Sequence, residues 1–159
     1  QPVPSPVQFV DAFPSQGHVN LAAPPGPPRY LPPPVDADLP LVLISPASEK
    51  AVTSQLFEQV RERTATVVIA PVEARKRGLR EGDRVLLRNS FGRVAAILAV
   101  SAELPPGVAS LPKGLWRRHT LNGWTSNALV PDHVDAVGGG ACYNDARVEI
   151  APEGGARHV

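Results

Sequence analysis

Three stretches of the 159-residue chain concentrate side chains that could meet a ligand. SPASEKAVTSQ, at 45–55, offers the hydroxyls and amine of Ser45, Ser48, Lys50, Thr53 and Ser54. LPKGLWRRHTLNGWTSNAL, at 111–129, sets Lys113, Arg117 and Arg118 among Trp116 and Trp124 and ends near the amide of Asn127. Cations suit phosphates, indole faces suit stacking, and a carboxamide can make a two-pronged contact with a heterocycle edge. GGGACYNDARVEI, at 138–150, places three glycines ahead of Cys142, Tyr143 and Asn144. Successive glycines let backbone amides approach a ligand closely, or let two segments cross tightly. Each stretch also has a plainer reading: a solvated loop capping a helix, a core tryptophan, a solvated basic turn.

Nothing in the sequence spells out catalysis. His18, His119, His133 and His158 show no metal-ligand spacing, and no serine or cysteine nucleophile motif stands near a histidine. One cysteine, Cys142, excludes an internal disulfide framework, a cysteine-only zinc site and an iron–sulfur cluster held by this chain alone. A net charge of +1 with 19% charged and 43% apolar residues favours neither a disordered acidic chain nor a strongly basic nucleic-acid binder. No apolar run approaches the roughly 20 residues of a membrane span, and the start lacks the pattern of a signal peptide. The chain contains no methionine, which suggests a piece of a longer polypeptide.

The strands and helices that carry these loops begin after residue 38. Twelve of the 19 prolines fall in residues 1–40, where fixed φ angles and missing N–H donors exclude helix and central strand. The reading for 1–38 is an extended, polyproline-like arm or connector. From 39 the chain turns to strand-length apolar runs punctuated by glycine and proline. LVLIS at 41–45 and TVVIA at 66–70 are continuous enough to suggest strands buried on both faces. Between them, Leu56, Phe57 and Val60 stand at helical spacing. A short helix should start at Pro71, with Glu73 in its first turn, Arg75, Lys76 and Arg77 in its last, and Gly78 as its left-handed cap. Residues 83–88 alternate, with Val85 and Leu87 on one face, and turn at 89–92 into a return strand, RVAAILAVS, apolar on both faces. Pro106-Gly107 fits a type II turn, and VASLP and ARVEI supply the last strands. Six short strands and one or two small helices argue for a closed β-barrel, because an open sheet would leave edges exposed.

The order of these punctuation marks resembles the C-terminal molybdopterin-dinucleotide-binding domain of the molybdopterin oxidoreductases, the group of dimethyl sulfoxide reductase and formate dehydrogenase. The matching residues are Pro71, Glu73-Ala74, Gly78, Gly82-Asp83, 89–92, Pro106-Gly107 and Asn127-Ala128-Leu129. The resemblance covers about 39–151 and implies a mainly β fold, a closed six-stranded double-psi β-barrel, followed by a flexible tail at 152–159. Gly82-Asp83 reads as architecture, a turn whose carboxylate accepts from nearby amides.

The resemblance also implies a cofactor, molybdopterin guanine dinucleotide, with molybdenum or tungsten held in the full-length enzyme. The cofactor-binding candidates are then Ser45, Ser48, Lys50, Thr53, Lys113, Trp124, Asn127, Tyr143 and Asn144, with no catalytic or metal-ligating residue expected from this chain. Asn127 matches the family's Asn-x-Leu position. Tyr143 and Asn144 lie where relatives place an aromatic and a polar residue near the cofactor. The metal ligand belongs to another domain, so Cys142 is expected to be buried and inert. Expected partners are the remaining domains of a large oxidoreductase subunit and an iron–sulfur electron-transfer subunit, with neither nucleic acid nor a membrane span. The compartment expected by default is the cytoplasm. The alternative is a double-psi barrel adaptor that binds a protein or peptide, since fold does not fix function. On either reading the isolated chain should turn nothing over.

Overall fold

The computed structural model describes residues 36–47, Thr53, Gln55, 64–134 and 139–154. These fall within the unit Val35–Val159. Residues 1–35 of the proline-rich arm, the helical spacing around Leu56 and residues 155–159 of the tail lie outside the described residues; Pro152, expected to open the flexible tail, ends a strand, and Glu153 pairs with Arg84.

Six strands close into a barrel. They are β1 (Leu41–Ile44), β2 (Thr66–Ile69), β3 (Arg84–Arg88), β4 (Arg93–Val100), β5 (Val108–Ser110) and β6 (Arg147–Pro152). Around the barrel the order is β1-β5-β2-β4-β3-β6. β1 runs parallel to β5, with Val42 opposite Val108, and β2 parallel to β4, with Val67 opposite Leu98; the other four neighbour pairs are antiparallel. Parallel neighbours cannot be joined by a tight hairpin, so the chain must cross between them. This closed barrel with crossing connections is the double-psi fold expected above.

The core is the inward face of the strands. Leu41, Leu43, Val67, Ile69, Val85, Leu87, Leu98, Val148 and Ile150 are all fully or almost fully buried. Val85 and Leu87 share the inner face as the alternation predicts. β1 and β2 differ from expectation: each is buried on alternate residues only, leaving Val42, Ile44, Thr66 and Val68 half-buried. A barrel this small has one interior, so a continuous apolar run there faces inward only at every second residue. β4 comes closer to two-sided cover, with Val94, Ala95, Ala96 and Leu98 buried and Ile97, Ala99 and Val100 partly so.

The helix α1 (Pro71–Lys76) begins at its proline and ends before Gly78 at φ 63°. Glu73 in its first turn is buried and sits 3.0 Å from Lys76 and 2.6 Å from Arg77. Arg77 also grips Glu149 on β6 with two bonds, Nε to Oε1 at 2.7 Å and Nη2 to Oε2 at 3.2 Å. Burial works against the Glu73 carboxylate, but hydrogen bonds and charge from Lys76 and Arg77 outweigh it and hold its pKa below the usual glutamate range. Nearby, Gly82 adopts φ 81°, and Asp83 Oδ2 accepts the Arg80 N–H at 2.9 Å, as the turn chemistry requires. Gly107, at φ 80°, completes the expected Pro-Gly turn.

Candidate functional site

Strand directions sort the connections onto two ends of the barrel. β1, β3 and β5 run one way, and β2, β4 and β6 the other. One end therefore carries α1, the Gly82-Asp83 turn and the Pro106-Gly107 turn; it is called the helix end. At the opposite, loop end lie the residues following β1, the β3–β4 turn and the long passage from β5 to β6.

Every described candidate on an anchored segment sits at the loop end. Ser45 follows β1 directly, and the Lys113 N–H bonds Pro46 O at 3.0 Å, so these two segments lie side by side. The Lys113 side chain is exposed. Trp124 is about half exposed, with the Arg117 guanidinium 4.8 Å from its ring centroid; Arg118 lies 4.1 Å from that of Trp116. The two arginines, offered in the sequence either as phosphate contacts or as a solvated basic turn, stack on indoles. Asn127 is exposed on a 3-10 helix, Ser126–Leu129. Tyr143 and Asn144 are exposed in the turn before β6. Thr53 is exposed at φ 53°. Ser48 and Lys50 lie outside the described residues.

Asn89 joins these segments. Its Nδ2 donates to Leu129 O at 2.8 Å and to Arg147 O at 3.1 Å, while its Oδ1 accepts the N–H groups of Phe91 and Gly92 at 3.0 and 3.2 Å. One carboxamide therefore ties the 3-10 helix and the start of β6 to the hairpin turn. Gly92 lets the helix dock: a Cβ there would stand 2.6 Å from Ala128 O. In sequence, 89–92 reads only as a turn.

Two hydroxyls at this end are stranded. Ser45 Oγ and Ser126 Oγ are buried with no hydrogen-bond partner among the described residues. Such a group costs about 1–3 kcal/mol when left unsatisfied, so native structures rarely keep one without reason. The sequence does not single out Ser126, because a lone serine in an irregular passage carries no signal of burial. It is the first residue of the 3-10 helix, behind Thr125 at the cap position, and is 1% exposed. Phe91, Trp124, Val134 and Tyr143, the large apolar side chains left exposed among the described residues, also gather at this end.

A dinucleotide with two heterocycles and a diphosphate fits such a donor set. It can satisfy buried hydroxyls, receive amide contacts from Asn127 and Asn144, pair with Lys113 and cover Trp124 and Tyr143. It does not fit the cavity on this end, about 200 Å³ and walled by Asn89, Phe91, Pro131, His133, Asp145 and Arg147. None of the seven described candidates lines that cavity. Cys142, expected to be buried, is only half-buried.

Comparison with known proteins gives the context. The chain is 35% identical over 89 residues to "Probable oxidoreductase YoaE" of Bacillus subtilis (strain 168), a match covering 56% of this chain and 13% of that protein. It is 31% identical over 78 residues to "Putative dimethyl sulfoxide reductase chain YnfE" of Escherichia coli (strain K12), covering 49% of this chain and 8% of that one. Acetylene hydratase from Pelobacter acetylenicus superposes with a TM-score of 0.63 at 17% identity, over 79% of this chain and 21% of its own, which is a likeness of fold. Residues 41–147 match the family described as the Molydopterin dinucleotide binding domain. The chain belongs to that family, which binds molybdopterin dinucleotide.

Proposed function

We propose that the loop end forms one wall of a pocket for molybdopterin guanine dinucleotide within a larger molybdenum or tungsten oxidoreductase. The observation that carries this reading is the pair of buried hydroxyls, Ser45 and Ser126, without a partner among the described residues, at the end where exposed aromatic side chains collect. In this reading Ser45, Ser126, Asn127 and Asn144 hold heterocycle edges and sugar hydroxyls. Lys113 neutralises the diphosphate, and Trp124 and Tyr143 cover flat faces. Ser48, Lys50 and Thr53 would extend the same wall. When bound, the group supplies a dithiolene-held metal that exchanges electrons with a substrate. This chain's residues bind and orient it and keep water from its buried face, and they perform no step alone.

The remaining domains of the parent subunit supply the metal ligand and the opposite wall, and an iron–sulfur subunit passes the electrons. Support for a larger parent comes from the small share of YoaE and YnfE that the chain spans. No helix among the described residues is long and apolar enough to cross a membrane; the proposed compartment is the cytoplasm. The adaptor alternative draws on the exposed Phe91 and Val134, which in the present reading face the parent's other domains.

The test is to purify the longer natural protein and assay molybdenum or tungsten together with guanine nucleotide after acid release. For a bis-molybdopterin guanine dinucleotide centre, guanine nucleotide is expected in equal ratio to bound pterin and the metal in half that ratio, and Asn127→Ala should lower all of them while leaving the melting temperature nearly unchanged. Folded, full-length protein containing neither metal nor guanine nucleotide would end this reading in favour of the adaptor.

A further inference from the structure

At the rim of the loop end, outside the candidate wall, three different metal-binding side chains meet. The ligand atoms of His133, Cys142 and Asp145 all lie within 4.8 Å of one another. His133 Nε2 and Asp145 Oδ2 are 3.1 Å apart. Both of those side chains are more than half exposed, and Cys142 is half-buried.

Two backbone features create the meeting. An antiparallel bridge pairs Val134 with Ala141, which sets their neighbours His133 and Cys142 opposite each other on one face. A turn then closes from Cys142 O to the Asp145 N–H at 3.2 Å and brings the carboxylate back over the thiol. The far side of the turn is fixed to the barrel, because the next residue, Ala146, accepts the Leu43 N–H at 2.8 Å. His133, Asp145 and the barrel-tying Asn89 share the walls of one cavity. The cluster is therefore placed by main-chain pairing rather than by a chance contact of long side chains.

We infer that His133, Cys142 and Asp145 form a three-ligand site for a zinc-class divalent cation. A thiolate, an imidazole and a carboxylate suit zinc, whereas magnesium and calcium take oxygen alone. Zinc bonds of about 2.0–2.3 Å place tetrahedral ligand atoms roughly 3.3–3.8 Å apart. The observed spread closes to that by rotation of the exposed His133 and Asp145 side chains. Binding replaces the His133–Asp145 hydrogen bond and releases the Cys142 thiol proton to solvent. The fourth position is left for water or for a group from outside the chain. Zinc here would clip residues 131–134 to the turn that carries Tyr143 and Asn144, fixing two side chains of the proposed dinucleotide wall from behind.

The experiment is a titration of the 159-residue chain with zinc and with cobalt(II), in the absence of any dinucleotide, so that this inference and the proposed function fail separately. One equivalent should bind, with a thiolate-to-cobalt charge-transfer band and protection of Cys142 from alkylation by iodoacetamide. Cys142→Ser should abolish the band, and His133→Ala or Asp145→Asn should each weaken zinc binding on the order of a hundredfold, at least as much as the loss of a supporting partner does in known sites. Metal-free melting curves check that each variant is folded. No thiolate band in the wild-type chain, or zinc binding that Cys142→Ser leaves unchanged, overturns the assignment.

Discussion

The two ends of the barrel are finished differently. At the helix end, polar groups meet protein partners: Glu73, Arg77 and Glu149 form a continuous ionic chain, Glu81 accepts the Val100 N–H, Asp83 accepts the Arg80 N–H, and Arg84 pairs with Glu153. No large apolar side chain is exposed there among the described residues. The loop end leaves Ser45 and Ser126 without a partner among the described residues, and Phe91, Trp124, Val134 and Tyr143 in solvent. A surface that completes its own bonds is architecture; a surface that leaves them open is shaped for something else to complete.

The largest effect should come from breaking the self-sufficient end. Arg77→Ala leaves Glu73 buried beside Glu149 without their shared cation, and should cost about 2–4 kcal/mol, near the range for splitting a buried pair; chemical denaturation measures it. Acid should act on the same group. The Glu73 pKa is depressed in the folded state, so its contribution is present above the unfolded-state value and is lost as pH falls through the folded one. Melting temperature should therefore decline below about pH 4.3, the usual glutamate value. In Glu73→Gln that part of the decline should be absent.

Next is the joint between the barrel and the loop end. Asn89→Ala removes four hydrogen bonds and strands the carbonyls of Leu129 and Arg147. It should cost roughly 2–3 kcal/mol and reduce the dinucleotide content of the full-length protein, since it frees the helix that carries Ser126 and Asn127. Gly92→Ala should do both more mildly, about 1–2 kcal/mol, by pushing that helix off the turn. Full occupancy in an Asn89→Ala protein shown to be destabilised would mean that the loop end's arrangement does not matter to the ligand.

The helix end was readable from the sequence because its signals are local. Pro71, Gly78, Gly82-Asp83 and Pro106-Gly107 each dictate backbone geometry within a few residues, and each is found as read. The loop end was readable only as an inventory of polar types. That Asn89 would hold Leu129 and Arg147, 40 and 58 residues away, is a fact of barrel closure and has no local signature. The same holds for His133 and Cys142, whose meeting depends on the Val134–Ala141 bridge and not on any metal-ligand spacing. Strand burial was overread at β1 and β2, because an apolar run does not say which of its two faces has a neighbour.

Ser126 separates the two kinds of surface most cleanly. If its hydroxyl waits for a ligand, Ser126→Ala removes an unpaired buried polar atom, and the ligand-free 159-residue chain should melt at the same temperature or slightly higher. The full-length protein carrying the same change should retain less molybdopterin guanine dinucleotide. A lower melting temperature together with unchanged dinucleotide content would show that the hydroxyl serves the barrel itself, and that the loop end is not the binding wall.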